Sequence, residues 1–140
     1  MIIKSHEADR YVSNPPKGLM IALVYGPDAG LVQERAEKLL KSVVPDLTDP
    51  FNVSDLNEAT VLEDPARLAD EAAAISMMGG RRVVRLRGAG NDLADIVESF
   101  LDDPKGDALM VIEAGDLAKT GALRKLFDDH NSAAAIQCYP

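Results

Sequence analysis

A chain of 140 residues with 46% apolar and 27% charged side chains fits one folded domain with a single aliphatic core, since aromatics are only 4% and tryptophan is absent. Fifteen Lys and Arg against 23 Asp and Glu leave a net charge of −8, which repels phosphate backbones and argues against nucleic-acid binding by the whole surface. Cys138 is the only cysteine, which excludes an internal disulfide and a cysteine metal cluster.

In chain order, residues 5–13 predict a short helix stopped by Asn14-Pro15-Pro16, because proline disfavours helical geometry in the residue before it. The N-terminus carries His6, Glu7, Asp9 and Arg10 where a signal peptide is apolar, and no apolar run reaches the roughly 18 residues of a membrane span. A cytoplasmic protein with no membrane partner is expected. Met20 to Tyr25 is a continuous apolar run closed by Gly26-Pro27, the pattern of a strand buried on both faces. Val32, Ala36, Leu39, Leu40 and Val43 then recur at helical spacing until Pro45.

A weak strand is expected near Phe51 to Val53. A helix follows, opened by Asp64 as N-cap and Pro65 in the first turn and running to about Met78, where Gly79-Gly80 release the chain. Arg82 to Leu86 predict a strand, 92–101 a helix, Ala108 to Ile112 a strand ending in Glu113, about 119–130 a helix, and Ala134 to Tyr139 a last strand. Strict alternation of this kind predicts an α/β domain of three layers, with a mainly parallel sheet of about five strands. The chain stops as its last strand finishes, so a piece of a longer protein is expected.

The loop between the first strand and its helix sits where a nucleotide hydrolase cradles phosphate with GxxxxGK[ST]. Here it reads Gly26-Pro27-Asp28-Ala29-Gly30-Leu31-Val32: the glycine spacing is one short, Leu31 replaces the lysine and Val32 the hydroxyl. Pro27 has no N–H to give, and Asp28 places a carboxylate where a phosphate would lie; two like charges 4 Å apart cost about 4 kcal/mol at an effective dielectric of 20. Asp28 is instead expected to cap the helix. Glu113 stands where a carboxylate could organise a metal, but without the lysine and hydroxyl it is expected to be a solvated strand end, and no cofactor or metal is expected. Arg81, Arg82, Arg85 and Arg87 alternate with apolar residues and are expected along a solvated strand edge. His6 and His130 have no nucleophile partner, so no catalytic residues are expected.

On a helical wheel of about 100° per residue, Leu68, Ala72 and Ile75 share one face, Met77 lies near 180° from Leu68 and Met78 near −80°. The residues alone allow two placements: a helix intact to its end presents the methionines outward, or a frayed end lets both tuck under the sheet.

The segments ALVYGPDAGLVQERAEKLL (Ala22 to Leu40), DPARLADEAAAISMMGGRRVVRL (Asp64 to Leu86) and DALMVIEAGDLAKTGALRKLF (Asp107 to Phe127) together resemble the N-terminal domain of the delta subunit of bacterial DNA polymerase III. The resemblance implies an AAA+-like domain with a degenerate P-loop (Gly26, Asp28, Gly30, Leu31), spanning 1–140 of a longer clamp-loader subunit whose helical second domain and C-terminal collar domain are absent. It implies that Met77 and Met78, with Ser76 and Gly79 beside them, bind the beta sliding clamp and favour its opening for DNA replication. This domain is then no enzyme by itself but part of a non-catalytic subunit of a DNA-directed polymerase, a nucleotidyltransferase holoenzyme. The implied partners are the clamp and the other loader subunits (gamma/tau, delta prime), with DNA met only indirectly. Met-Met departs from the Leu-Phe pair more familiar in the family. Two other readings stand beside it: a divergent P-loop NTPase, and an AAA+-like scaffold subunit without clamp affinity.

Overall fold

The computed structural model describes residues 1–77, 79–128, 130 and 132–140. Six strands form one parallel sheet in the order β1-β6-β2-β5-β4-β3. They are β1 (Ile2–Ile3), β2 (Ile21–Tyr25), β3 (Val53–Asn57), β4 (Val83–Ala89), β5 (Leu109–Ala114) and β6 (Ala133–Gln137). The helices are α1 (Ser5–Ser13), α2 (Ala29–Lys41), α3 (Glu58–Glu63), α4 (Ala66–Ala73), α5 (Ala94–Asp102) and α6 (Ala122–Lys125), with a 3₁₀ turn at Asn91–Leu93 leading into α5.

The continuous apolar runs of β2 and β5 are buried at every residue, as a sheet covered on both faces requires. Alternate strand residues feed two cores. Ala22, Val24, Val111 and Ile136 pack under Val32, Ala36, Leu39 and Leu40 of α2 and Ala8 and Val12 of α1. Leu23, Leu86, Met110 and Ile112 pack on the other face with Leu68, Val97, Phe100, Leu123 and Phe127. The connection through α2 carries the chain from β2 out to edge strand β3, and the connections through α3, α4, α5 and α6 return on the opposite face. Right-handed crossovers impose that division.

The parallel α/β architecture agrees with the sequence, and several details correct it. A sixth strand, β1, pairs with β6 through Ile2 and Ile3. The weak strand lies at Val53–Asn57, and the last strand ends at Gln137, leaving Cys138 buried beyond it. The helix expected over about 119–130 is reduced to Ala122–Lys125, although Leu123 and Phe127 do point inward. Two short helices, α3 and α4, fill the segment before Gly79, and Pro65 holds the N-cap position of α4 without a side-chain hydrogen bond, so Asp64 is not the cap. Asn57 caps α3 instead, its Oδ1 accepting from Thr60 N at 2.9 Å. Among the described residues no helix is long and apolar enough to cross a membrane.

Candidate functional site

In a parallel sheet of this kind, ligands enter where neighbouring strands send their connections to opposite faces, beyond the carboxyl ends of the strands. Here that point lies between β2, followed by α2, and β5, followed by α6. A cleft of about 530 Å³ opens there, lined by Gly26 and Pro27 after β2, Gly115 and Asp116 after β5, and Arg87 and Gly88 of β4.

Several groups around this cleft are spent on the protein itself. Asp28 Oδ1 accepts from Leu31 N at 3.1 Å, so the cap expected from sequence occupies an N–H at the mouth of α2. The Gly26 N–H donates to the Gly115 carbonyl at 3.1 Å. Gly26 has φ of +153°, and a Cβ added there would fall 2.2 Å from the Cys138 carbonyl oxygen. This glycine is therefore required by the close approach of two chain segments, independently of any ligand.

Glu113 is not the solvated strand end expected. It is 8% exposed, and its Oε2 accepts from Arg85 Nε at 2.6 Å, while Arg85 Nη2 donates to Glu37 Oε2 on α2 at 3.2 Å. Burial works against the charge on Arg85, but its hydrogen bonds and attraction to Glu113 and Glu37 outweigh it and raise its pKa. Burial likewise works to raise the Glu37 carboxyl; hydrogen bonds from Gln33 and Arg85 and the charges of Arg85 and Lys41 reverse this and hold it below its ordinary value. The carboxylate at the end of β5 thus has an arginine as its counter-ion.

The same pairing overturns the solvated arginine edge, because β4 lies inside the sheet between β3 and β5. Arg82 and Arg85 are both buried. Arg87 is exposed but paired with Asp55 at 2.5 Å. Arg81 Nη2 donates to the Leu19 carbonyl at 3.2 Å and its Nε to the Asp107 carbonyl at 2.6 Å.

At the opposite, amino-terminal edge of the sheet, the segment leading into β4 forms a second feature. Helix α4 stops at Ala73, five residues before the end read from the wheel. An α-helix continuing there would need the Glu71 carbonyl for the Ile75 N–H. That carbonyl instead accepts from Ala74 N at 3.3 Å and from Arg82 Nη1 at 2.7 Å. Arg82 also donates to the Phe51 carbonyl at 3.0 Å, fixing the helix end against the start of β3. Past Ala74, which is extended, the side chains alternate: Ile75 is 91% exposed, Ser76 7%, and Met77 88%. The next most exposed large apolar residue described, Phe51, reaches only 50%. Gly79 N then donates to the Ser76 carbonyl at 3.2 Å, and Gly79 and Gly80 follow with φ of +78° and +88°, a conformation that favours glycine.

Ile75, placed inward by the wheel, is thus outward, because the wheel ceases to apply once the helix ends. Met77 is outward on a loop, a placement neither reading of the sequence described. Met78 lies outside the described residues. Ser76 and Gly79 belong to the same turn, and the four glycine-loop residues Gly26, Asp28, Gly30 and Leu31 lie together at the other edge of the sheet.

The family model described as DNA polymerase III, delta subunit matches residues 23–138. The chain belongs to that family. A comparison with curated protein sequences finds no match. Among solved structures, this delta-family chain is similar to the Bacillus subtilis DNA clamp loader delta protein YqeN, with 21% identity and a TM-score of 0.67 over 95% of this chain and 42% of that one. It is also similar to a Thermotoga maritima DNA polymerase III gamma subunit-related protein, with 14% identity and a TM-score of 0.53 over 97% of this chain and 46% of that one. The delta-family chain spans less than half the length of either protein, and at these identities the likeness is one of fold. Sequence reading of this delta-family member singled out the glycine loop and Met77, but turned Ile75 inward and set Arg82 and Arg85 on a solvated edge. A charged residue at each of two adjacent buried strands, Arg85 on β4 and Glu113 on β5, was the available signal, since buried charges must be paired.

Proposed function

We propose that this chain is the clamp-contacting domain of a clamp-loader delta subunit, and that the exposed loop holding Ile75 and Met77 enters an apolar pocket on the ring-shaped beta sliding clamp. The observation that carries this reading is the near-complete exposure of two large apolar side chains, 91% and 88%, on a loop whose ends are tied down by Arg81 and Arg82. Exposed apolar groups of this kind gain most by burial in a partner, roughly 1.5 to 3 kcal/mol for a methionine or isoleucine. Tethered ends limit the ordering entropy lost when the loop docks. Ser76, and Gly79 with Met78 beside it, complete the contact segment, and the family supports the choice of partner.

Opening of the ring follows if the docked loop and its surroundings bind the open ring more tightly than the closed one, since a binder shifts an equilibrium only by its differential affinity. The domain itself binds no nucleotide, because Asp28 caps the mouth of α2, Glu113 is bonded to Arg85, and Leu31 and Val32 stand where a lysine and a hydroxyl would be needed. ATP is handled by other subunits of the loader, and DNA is met only through the assembly. In this reading the helical second domain and the collar domain belong to the rest of a longer subunit.

Titrating the chain against a cognate clamp by calorimetry tests the proposal, with saturable binding expected and no detectable heat contradicting it. A thermal-shift series with Mg-ATP tests the nucleotide clause. Binding at 100 times Kd would add about 2.7 kcal/mol of stability, and the expected result is no shift.

A further inference from the structure

Between α4 and α5 runs a groove of about 350 Å³ with an apolar floor of Leu68, Ala69, Ile96 and Phe100. Leu68 and Phe100 are anchored in the core, while Ala69 and Ile96 are only partly covered and form the accessible part of the floor. Asp95 and Asp103 stand on its rim, both exposed. The same two helices add Asp70, Glu98 and Asp102, again exposed. The nearby cations are engaged: Lys105 with Asp103 at 2.9 Å and Arg67 with Glu71 at 3.1 Å.

An apolar floor inside an acidic rim selects its occupant by charge. Phosphate backbones are repelled, and a second copy of this chain would bring the same acidic rim and a net charge of −8 against it. We propose that the groove docks a short basic amphipathic helix of a partner protein, with apolar side chains at i and i+4 seated on Ala69 and Ile96 and lysines or arginines facing Asp95 and taking the place of Lys105 at Asp103. The groove lies beside the exposed loop, because Gly106, next to Lys105 at its end, packs against the Ala72 carbonyl where α4 gives way to Ile75. A partner seated there would meet both surfaces, but the groove's chemistry is independent of clamp binding.

The test uses the isotope-labelled chain and a short synthetic helical peptide with leucines at i and i+4 flanked by lysines, compared with the same peptide carrying glutamates. Expected are amide shift changes gathered at Leu68, Ile96 and Phe100. Affinity should be about tenfold weaker for the glutamate peptide and for the Asp95→Lys, Asp103→Lys double variant, a change of about 1.4 kcal/mol. Added salt should weaken binding, and Met77→Ala should leave it unchanged. No binding of the lysine peptide, equal binding of both peptides, shifts confined to the Ile75 to Met77 loop, or concentration-dependent self-association that shifts the groove residues without peptide would each overturn the proposal.

Discussion

At Gly26 a β-carbon would sit 2.2 Å from the Cys138 carbonyl oxygen, on a backbone whose φ of +153° already disfavours other residues. Gly26→Ala should therefore lower stability by more than about 1 kcal/mol in chemical denaturation. Two positions on, Asp28→Ala removes a helix cap and should cost about 1 kcal/mol in the same measurement. Arg85 carries a larger stake, because Arg85→Met leaves Glu113 buried without its cation, and breaking a buried pair costs roughly 3 to 5 kcal/mol. Adding Glu113→Gln to Arg85→Met should recover part of that loss; a double-mutant cycle with no coupling would contradict the pairing. Asp28 was legible as a cap because capping is a local event of a few residues. The Arg85–Glu113 pair was not, because it depends on the register that sets Arg85 opposite Val111, and register is a property of the assembled sheet.

At the level of elements, the strands and α2 could be read from their apolar periods, since β2 and β5 are buried on both faces and α2 on one. Helix α4 could not be read to its end. The residues from Ala72 to Met78 have ordinary helical preferences, and the Arg82 bond that holds the helix end at the Glu71 carbonyl forms only once β4 is in place. Strand β1 escaped for a similar reason: two isoleucines make a strand only because β6 offers them an edge. Arg82→Met should free the Glu71 carbonyl and unpin the Phe51 carbonyl, costing about 1 to 3 kcal/mol. Hydrogen exchange should accelerate first at Ala74, whose N–H now ends α4, and unchanged protection there would contradict the assigned anchor.

For the whole molecule, acid stability follows from carboxylates tied to buried arginines. Glu37 and Glu71 are both held below their ordinary value of 4.5. For Glu71, burial acts to raise the pKa, and hydrogen bonds from Ser54 and Arg67 with the charges of Arg67 and Arg82 overcome it. Groups with depressed folded-state values contribute stability in full above the unfolded pKa and lose it as pH falls through the folded one. Stability should thus decline below about pH 4.5, and Glu71→Gln should flatten that decline in denaturation curves taken across the acid range. At this scale the α/β architecture was plain from alternation, whereas the division between a cleft at one sheet edge and an exposed apolar loop at the other emerged only from the fold.

The most direct measurement is the affinity of this chain for a cognate clamp compared between Met77→Ala and Asp28→Ala. Met77→Ala should lose affinity at least tenfold, in line with roughly 1.5 to 3 kcal/mol for the burial of a methionine, and Asp28→Ala should leave it unchanged. Unchanged affinity in Met77→Ala with a loss in Asp28→Ala would place the contact at the glycine-loop edge and contradict its assignment to Met77.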